Sequence, residues 1–334
     1  MQNLRNKVVV VTGASAGIGR AIAIAFAREG AQVAVLARDK DRLAGVCRQI
    51  KNTCPAQAFA LPTDVADYEQ VEIAAERAEK ILGPIDVWIN NAMVTVFSPF
   101  HDMTAEEFRR VTEVTYLGTV YGTMAALKRM RPRNHGHIVQ IGSALAYQAI
   151  PLQSAYCGAK HAIRGFSNAI RAELLHDKID IAVSMIQLGA FNTPQFEWAR
   201  AKLKYHPQPL PPIFQPELAA TATLEAVKQR RREVWVGFSS TKAIVGGKLF
   251  PGLLERYLAH KAYEGQCTDE ILEQSREGNL FETVRGDYGI YGRFGKKSRD
   301  NSLQLWMSLH RAPVITGTVA VIIGVAIALV FGIK

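Results

Sequence analysis

The segment that most limits the fold lies near the start of the chain. Lys7 to Thr12 is a continuous β-branched run, and an unbroken apolar run of that kind marks a strand buried on both faces of a parallel sheet. It passes into Gly13-Ala14-Ser15-Ala16-Gly17-Ile18-Gly19, after which Arg20 to Glu29 has helical periodicity and stops at Gly30. Strand, glycine loop and helix in this order form the phosphate-binding unit of a dinucleotide fold. Glycines let the backbone approach a pyrophosphate, and the helix N-terminus supplies N–H donors and a favourable dipole. Thr12, Gly13, Ser15, Gly17, Ile18 and Gly19 are therefore the first candidate binding residues.

A second stretch, Val139 to Ser167, carries the candidate chemistry. Tyr156 and Lys160 are one helical turn apart, so a helix from about Ala155 to Ala169 presents both side chains on one face. A tyrosine of pKa about 10 is a poor base at neutral pH, and a neighbouring cation favours its phenolate; Lys160 is expected to lower the Tyr156 pKa. Ser143 follows the apolar run Ile138 to Ile141 and Gly142, on a loop facing the start of that helix, where its hydroxyl can hold a substrate oxygen. Taken alone, a Tyr and a Lys at helical spacing also describe an ordinary exposed pair. The order Ser143, Tyr156-x-x-x-Lys160, with Thr12-Gly13-x-x-x-Gly17-x-Gly19 before it, closely resembles the short-chain dehydrogenase/reductase family.

The resemblance covers about residues 5 to 240 and implies a Rossmann-type, doubly wound α/β fold with a seven-stranded parallel sheet. It also assigns further residues. At the end of the second strand, Gln32 to Ala37, an acid would bind the adenosine ribose and select NAD(H); here Ala37 is followed by Arg38, which favours NADP(H). Asp64-Val65, after the strand Phe59 to Asp64, matches the pair that contacts adenine. Asn91 and Ala92 belong to the family's Asn-Asn-Ala-Gly, with Met93 in place of the last glycine. In the expected helix Thr104 to Met130, Thr115 occupies the position of an asparagine that positions a water beside the active-site lysine. Leu188-Gly189-Ala190-Phe191-Asn192-Thr193 matches Pro-Gly-x-x-x-Thr with Leu188 for the proline, so Gly189 and Thr193 are expected on the nicotinamide side. The aromatic, proline-rich segment after it, with Phe196, Trp198, Tyr205 and Pro207 to Pro216, reads as a substrate lid consistent with a hydrophobic substrate. Relatives pair through the helices that here contain Thr115 and Tyr156, which implies a homodimer or homotetramer.

The two ends of the chain differ. Val314 to Ile333 contains no charged residue, and as a helix it spans roughly 30 Å, the thickness of a bilayer's hydrocarbon core. Lys296, Lys297, Arg299 and Arg311 precede it and only Lys334 follows, so the expected protein is single-pass and tail-anchored, with its catalytic domain in the cytoplasm. Thr316, Ala320, Gly324, Ala328 and Gly332 form a stripe of small residues on which two such helices could pair. The chain thus divides into an NADP-binding domain at 1–240, an extension of unassigned role at 241–311 and a membrane tail at 312–334. The net charge of +10 is scattered among acids, which argues against nucleic acid as a partner. The four cysteines form no CxxC pair and read as reduced thiols, with no metal site expected.

The activity expected is that of a membrane-anchored oxidoreductase interconverting a hydroxyl and a carbonyl on a lipophilic substrate with NADP(H). Ser143, Tyr156 and Lys160 are its catalytic residues, Tyr156 and Lys160 also touch the cofactor, and Thr115 completes a proton relay. A dedicated 3-keto lipid reductase, and a non-catalytic NADP(H)-binding sensor at a membrane, remain alternatives, since Met93, Thr115 and Leu188 depart from the family's pattern.

Overall fold

A computed structural model describes residues 3–273, 276 and 278–310. The expected membrane span and its small-residue stripe lie outside the described residues. Among the described residues, no helix is long and apolar enough to cross a membrane.

Seven parallel strands form the central sheet: β1 (Val8–Thr12), β2 (Gln32–Ala37), β3 (Ala58–Pro62), β4 (Ile85–Asn90), β5 (Gly136–Ile141), β6 (Ile181–Gln187) and β7 (Glu233–Trp235), in the order β7-β6-β5-β4-β1-β2-β3. The β-branched run of β1 becomes a central strand because both of its faces have apolar partners. Val9 and Val11 point to one layer, where Ile22 and Phe26 of α1 (Gly17–Arg28), Val46 of α2 (Lys40–Thr53) and Ala222 of α7 (Pro216–Lys228) pack. Val8 and Val10 point to the other, against Val71 of α3 (Tyr68–Leu82), Ala125 of α5 (Gly118–Met130) and Ala155 of α6 (Ser154–His176). Period-two alternation on a strand thus feeds two helical layers. Chain order reverses where β1 lies between β2 and β4, and in open sheets of this kind ligands bind beyond the carboxyl ends of the strands at that point.

Two expectations about helices change. The Tyr156 helix runs to His176 rather than Ala169. The helix expected over Thr104 to Met130 is split: α4 (Ala105–Val111), opened by a capping box from Thr104 and Glu107, gives way to a π-helical stretch at Thr112–Leu117 before α5 resumes.

The extension is woven into the domain rather than laid beside it. Helices α8 (Phe238–Leu249) and α9 (Pro251–Gly265) are followed by Cys267–Ile271, which pairs antiparallel with Tyr205–Pro207 of the lid. Further on, Ser298–Arg299 adds in parallel to Ile213–Phe214, which itself pairs with Ala190–Phe191. The short helix α10 (Leu303–Leu309) returns to the sheet, and its Leu305 is buried in the α1 layer.

Candidate active site

One cavity of about 380 Å³ runs past the carboxyl ends of β1, β2, β4 and β5. Gly13, Ser15, Gly17, Ile18, Gly19, Arg38, Asp64, Val65, Asn91, Ala92, Ser143, Tyr156, Lys160, Gly189 and Thr193 all line it. Residues from seven separate segments are therefore brought to one surface by the strand order.

The glycine loop is shaped by close approach. Gly13 has φ +64, and a Cβ there would come within 2.7 Å of the Ala92 backbone; a Cβ on Gly19 would lie 2.3 Å from the Gly13 carbonyl oxygen. Thr12 is not in the cavity wall. Its buried hydroxyl accepts from the backbone N–H groups of Asn91 (2.9 Å) and Ala92 (3.0 Å), and the Asn91 amide donates to the Thr12 carbonyl at 2.9 Å. Thr12 and the Asn91 side chain hence brace the two loops against each other.

Ser143 opens a 3-10 turn at Ala144–Ala146 and is buried; its hydroxyl accepts from Leu145 N–H at 3.1 Å and donates to Leu188 O at 3.4 Å. Tyr156 and Lys160 leave α6 on the same side, with the Lys160 Nζ 5.4 Å from the Tyr156 ring centroid and donating to Ile141 O at 2.6 Å. The direction expected for Tyr156 is reversed. Burial pushes its phenol well above the ordinary value, the neighbouring Cys157 adds to this, and a hydrogen bond with Ser143 opposes it. Burial also pushes the Lys160 ammonium down to about 7, so its charge is only partly present at neutral pH.

Thr115 does not join this group. It is fully buried in the π-helical stretch, and its hydroxyl is committed to one backbone unit, accepting from Val94 N–H at 3.2 Å and donating to Val94 O at 3.0 Å. The relay role expected of it gives way to a brace on the loop after β4.

Beyond β3, Asp64 is engaged by Arg110 at 2.5 Å and by Ala66 N–H at 3.0 Å. Arg38 turns to the extension, donating to Asn279 O (2.5 Å) and Phe281 O (2.6 Å). At the other end the cavity is apolar, with Val94, Ile150, Phe196, Leu210, Leu254 and Leu258, relieved by a polar patch where Gln153 donates to Gln266 at 2.7 Å. Asn279 and Thr283 also line the cavity, and so do α9 residues. None of these carries a sequence signal, because nothing local ties residue 38 to residue 281.

The short chain dehydrogenase family pattern matches residues 7–204, well over half of the chain. The chain belongs to the short-chain dehydrogenase family. A relative described as an uncharacterized oxidoreductase, YxnA of Bacillus subtilis, is 30% identical over 321 residues, 96% of this chain and 89% of that protein. The dehydrogenase/reductase SDR family member 7B of Mus musculus is 36% identical over 193 residues, and the matched region spans only 59% of its length. Among solved structures, an alcohol dehydrogenase from Thermococcus sibiricus complexed with 5-hydroxy-NADP matches with TM-score 0.61 and 27% identity, covering 69% of this chain and 95% of that one. A metagenomic short-chain oxidoreductase in complex with NADP matches with TM-score 0.59 and 26% identity, covering 70% and 98%. As a short-chain dehydrogenase, this chain is an oxidoreductase with a nucleotide-binding Rossmann-like fold, and its seven-stranded sheet is that of its structural neighbours.

Proposed function

We propose that this short-chain dehydrogenase interconverts a lipophilic carbonyl compound and its alcohol at a membrane, using NADP(H). The observation that carries the reading is the convergence of Ser143, Tyr156 and Lys160 where the glycine-lined half of the cavity meets its apolar half. The residues fit a dinucleotide: Gly13, Ser15, Gly17, Ile18 and Gly19 line the cavity at the start of α1, and no side chain caps that helix N-terminus. Arg38 closes the far end, while the adjacent Asp39 caps α2, accepting from Arg42 N–H at 2.9 Å.

When bound, the nicotinamide supplies or accepts the hydride. The protein's part is alignment and proton transfer. Ser143 is placed to donate to the substrate oxygen. Tyr156, kept as a phenol by burial, is placed to protonate that oxygen in the reducing direction and to take the proton back in the other. Lys160 stands behind the phenol as the group through which charge at the site is adjusted.

Support for a lipophilic substrate comes from the apolar end of the cavity. Leu254 and Leu258 of α9 line it, whereas Leu253 and Tyr257 of the same helix are exposed at 72% and 60%. Phe238, Leu249 and Phe250 are exposed beside them, next to Lys242 and Lys248, a composition suited to a lipid surface.

The test is NADPH oxidation by the full chain with a panel of lipophilic ketones and aldehydes. Turnover is expected, and Tyr156→Phe should lower kcat by about 10²- to 10⁴-fold while leaving cofactor affinity in place. A variant that keeps its kcat would remove the acid/base role. Binding of NADPH without turnover of any carbonyl would point to a nucleotide sensor, and equal wild-type affinity for NADPH and NADH would overturn the cofactor preference.

A further inference from the structure

Residues 279–292 follow the line of the dinucleotide site from end to end. Leu280 is buried in the α3 layer and its carbonyl accepts from Arg110, the partner of Asp64. The carbonyls of Asn279, Phe281 and Glu282 then meet Arg38, those of Val284 and Gly286 meet Arg42, and the Asp287 carboxylate accepts from Arg20 at 2.6 Å. Gly289 O accepts from Gly17 N–H at 3.0 Å, at the glycine loop itself, and Gly292 N–H reaches Asn192 O beside Thr193 at 3.3 Å. The order of these contacts along the segment is the order in which a dinucleotide would lie, adenosine to nicotinamide.

We propose that this segment is a strap that forms the outer wall of the cofactor site, so that the cofactor is exchanged only when the strap opens. The proposal rests on the NADP(H) reading above. Two observations separate the strap from a loop that merely packs nearby. Asn279 and Thr283 stand in the cavity wall, and the Asn279 Oδ1 atom is buried with no hydrogen-bond partner among the described residues, so a residue of that wall keeps an unused acceptor. The latch is also built from charge. Arg20 and Arg42 are buried cations: Arg42 donates to Val284 O and Gly286 O of the strap, Arg20 to Asp287 of the strap and to Gln49, and the Arg42 guanidinium also lies 5.1 and 5.4 Å from the ring centroids of Trp198 and Tyr288, which meet edge to face. Opening would leave those guanidinium groups without these partners, so it is opposed by several charge-assisted bonds at once. Seating is close as well: a Cβ on Gly292 would lie 2.4 Å from Thr193 O. The strap's carbonyls also hold Arg38, which ties its position to the residue expected to read the ribose substituent.

The test is release of NADPH from the full-length protein, followed by loss of its fluorescence in a stopped-flow chase with excess NADP⁺. Asp287→Asn weakens the latch to Arg20 and Gly292→Val obstructs seating; each is expected to raise the release rate by about tenfold. Asn279→Ala should weaken NADPH and NADH by the same factor, since adenosine is common to both. In the wild type, hydrogen exchange of the amides in 279–292 should slow when NADPH binds, a readout that needs no variant to fold. Unchanged release in both variants with unchanged exchange would overturn the strap while leaving the cofactor reading intact. A wild-type protein that binds neither dinucleotide would instead remove the cofactor reading, and the strap's role with it.

Discussion

At Lys160 the fold buries a lysine almost completely in the wall of the cavity, and the consequence is a titration near neutrality. Its folded pKa of about 7 lies below the value of about 10.4 for an unfolded lysine, so between those two values the unfolded chain holds one more proton. By linkage, stability then rises with pH across that window: the cost of burying the charge is complete below pH 7 and is relieved as pH climbs toward 10. Lys160→Met removes this term together with the hydrogen bond to Ile141 O, and the titration of the other groups cancels in the difference. The stability of Lys160→Met relative to wild type, from chemical denaturation of the full chain, should therefore be greatest at pH 6 and shrink steadily up to pH 10. A pH-independent difference would mean that Lys160 keeps its proton in the folded state. The same burial explains why Tyr156 carries a raised pKa rather than a lowered one. Spacing on a helix identifies which groups are neighbours, but not how much water each retains.

Among elements, the π-helical stretch at Thr112–Leu117 decides what Thr115 can do. The turn delivers the Thr115 hydroxyl to both polar groups of Val94, a residue of the cavity wall, and a valine there would keep the shape while leaving Val94 N–H and C=O unpaired in a buried place. Thr115→Val should therefore cost about 1–3 kcal/mol in urea denaturation, with kcat largely retained; a collapse of kcat at unchanged stability would restore the relay. The elements that sequence reveals best here are those with short-range logic. The β1 run, the glycine loop and the four-residue spacing of Tyr156 and Lys160 all lie within a few residues and are placed as expected. A π-turn has no apolar period of its own, so the expected Thr104 to Met130 helix reads as continuous. The strap is harder still, since Arg38 meets Phe281 across 243 residues of chain, and its backbone carbonyls are the same whatever side chains they carry.

For the whole molecule, the extension and the tail point the same way. Residues 238–310 add walls to the cavity and strands to the lid, so their order depends on the domain they close. The chain then leaves α10 only a few residues before the uncharged stretch Val314 to Ile333. If that stretch spans a bilayer, the exposed apolar face of α8 and α9 and its lysines are held near the membrane by a short tether, and lipophilic substrate can reach Leu254 and Leu258 without crossing water. Arginine in the middle of a spanning helix costs about 2.5–3.5 kcal/mol per residue on insertion scales, so Ile323→Arg with Ile327→Arg should prevent stable insertion. The wild-type full chain is expected in the membrane fraction, resistant to high salt and alkaline carbonate and released by detergent. The double variant should move to the carbonate-soluble fraction, with its kcat on a water-soluble carbonyl unchanged and its use of vesicle-borne substrate reduced. A wild-type chain that high salt alone washes from membranes would show that charge and the α8–α9 face make the contact, and that the terminal stretch does not span.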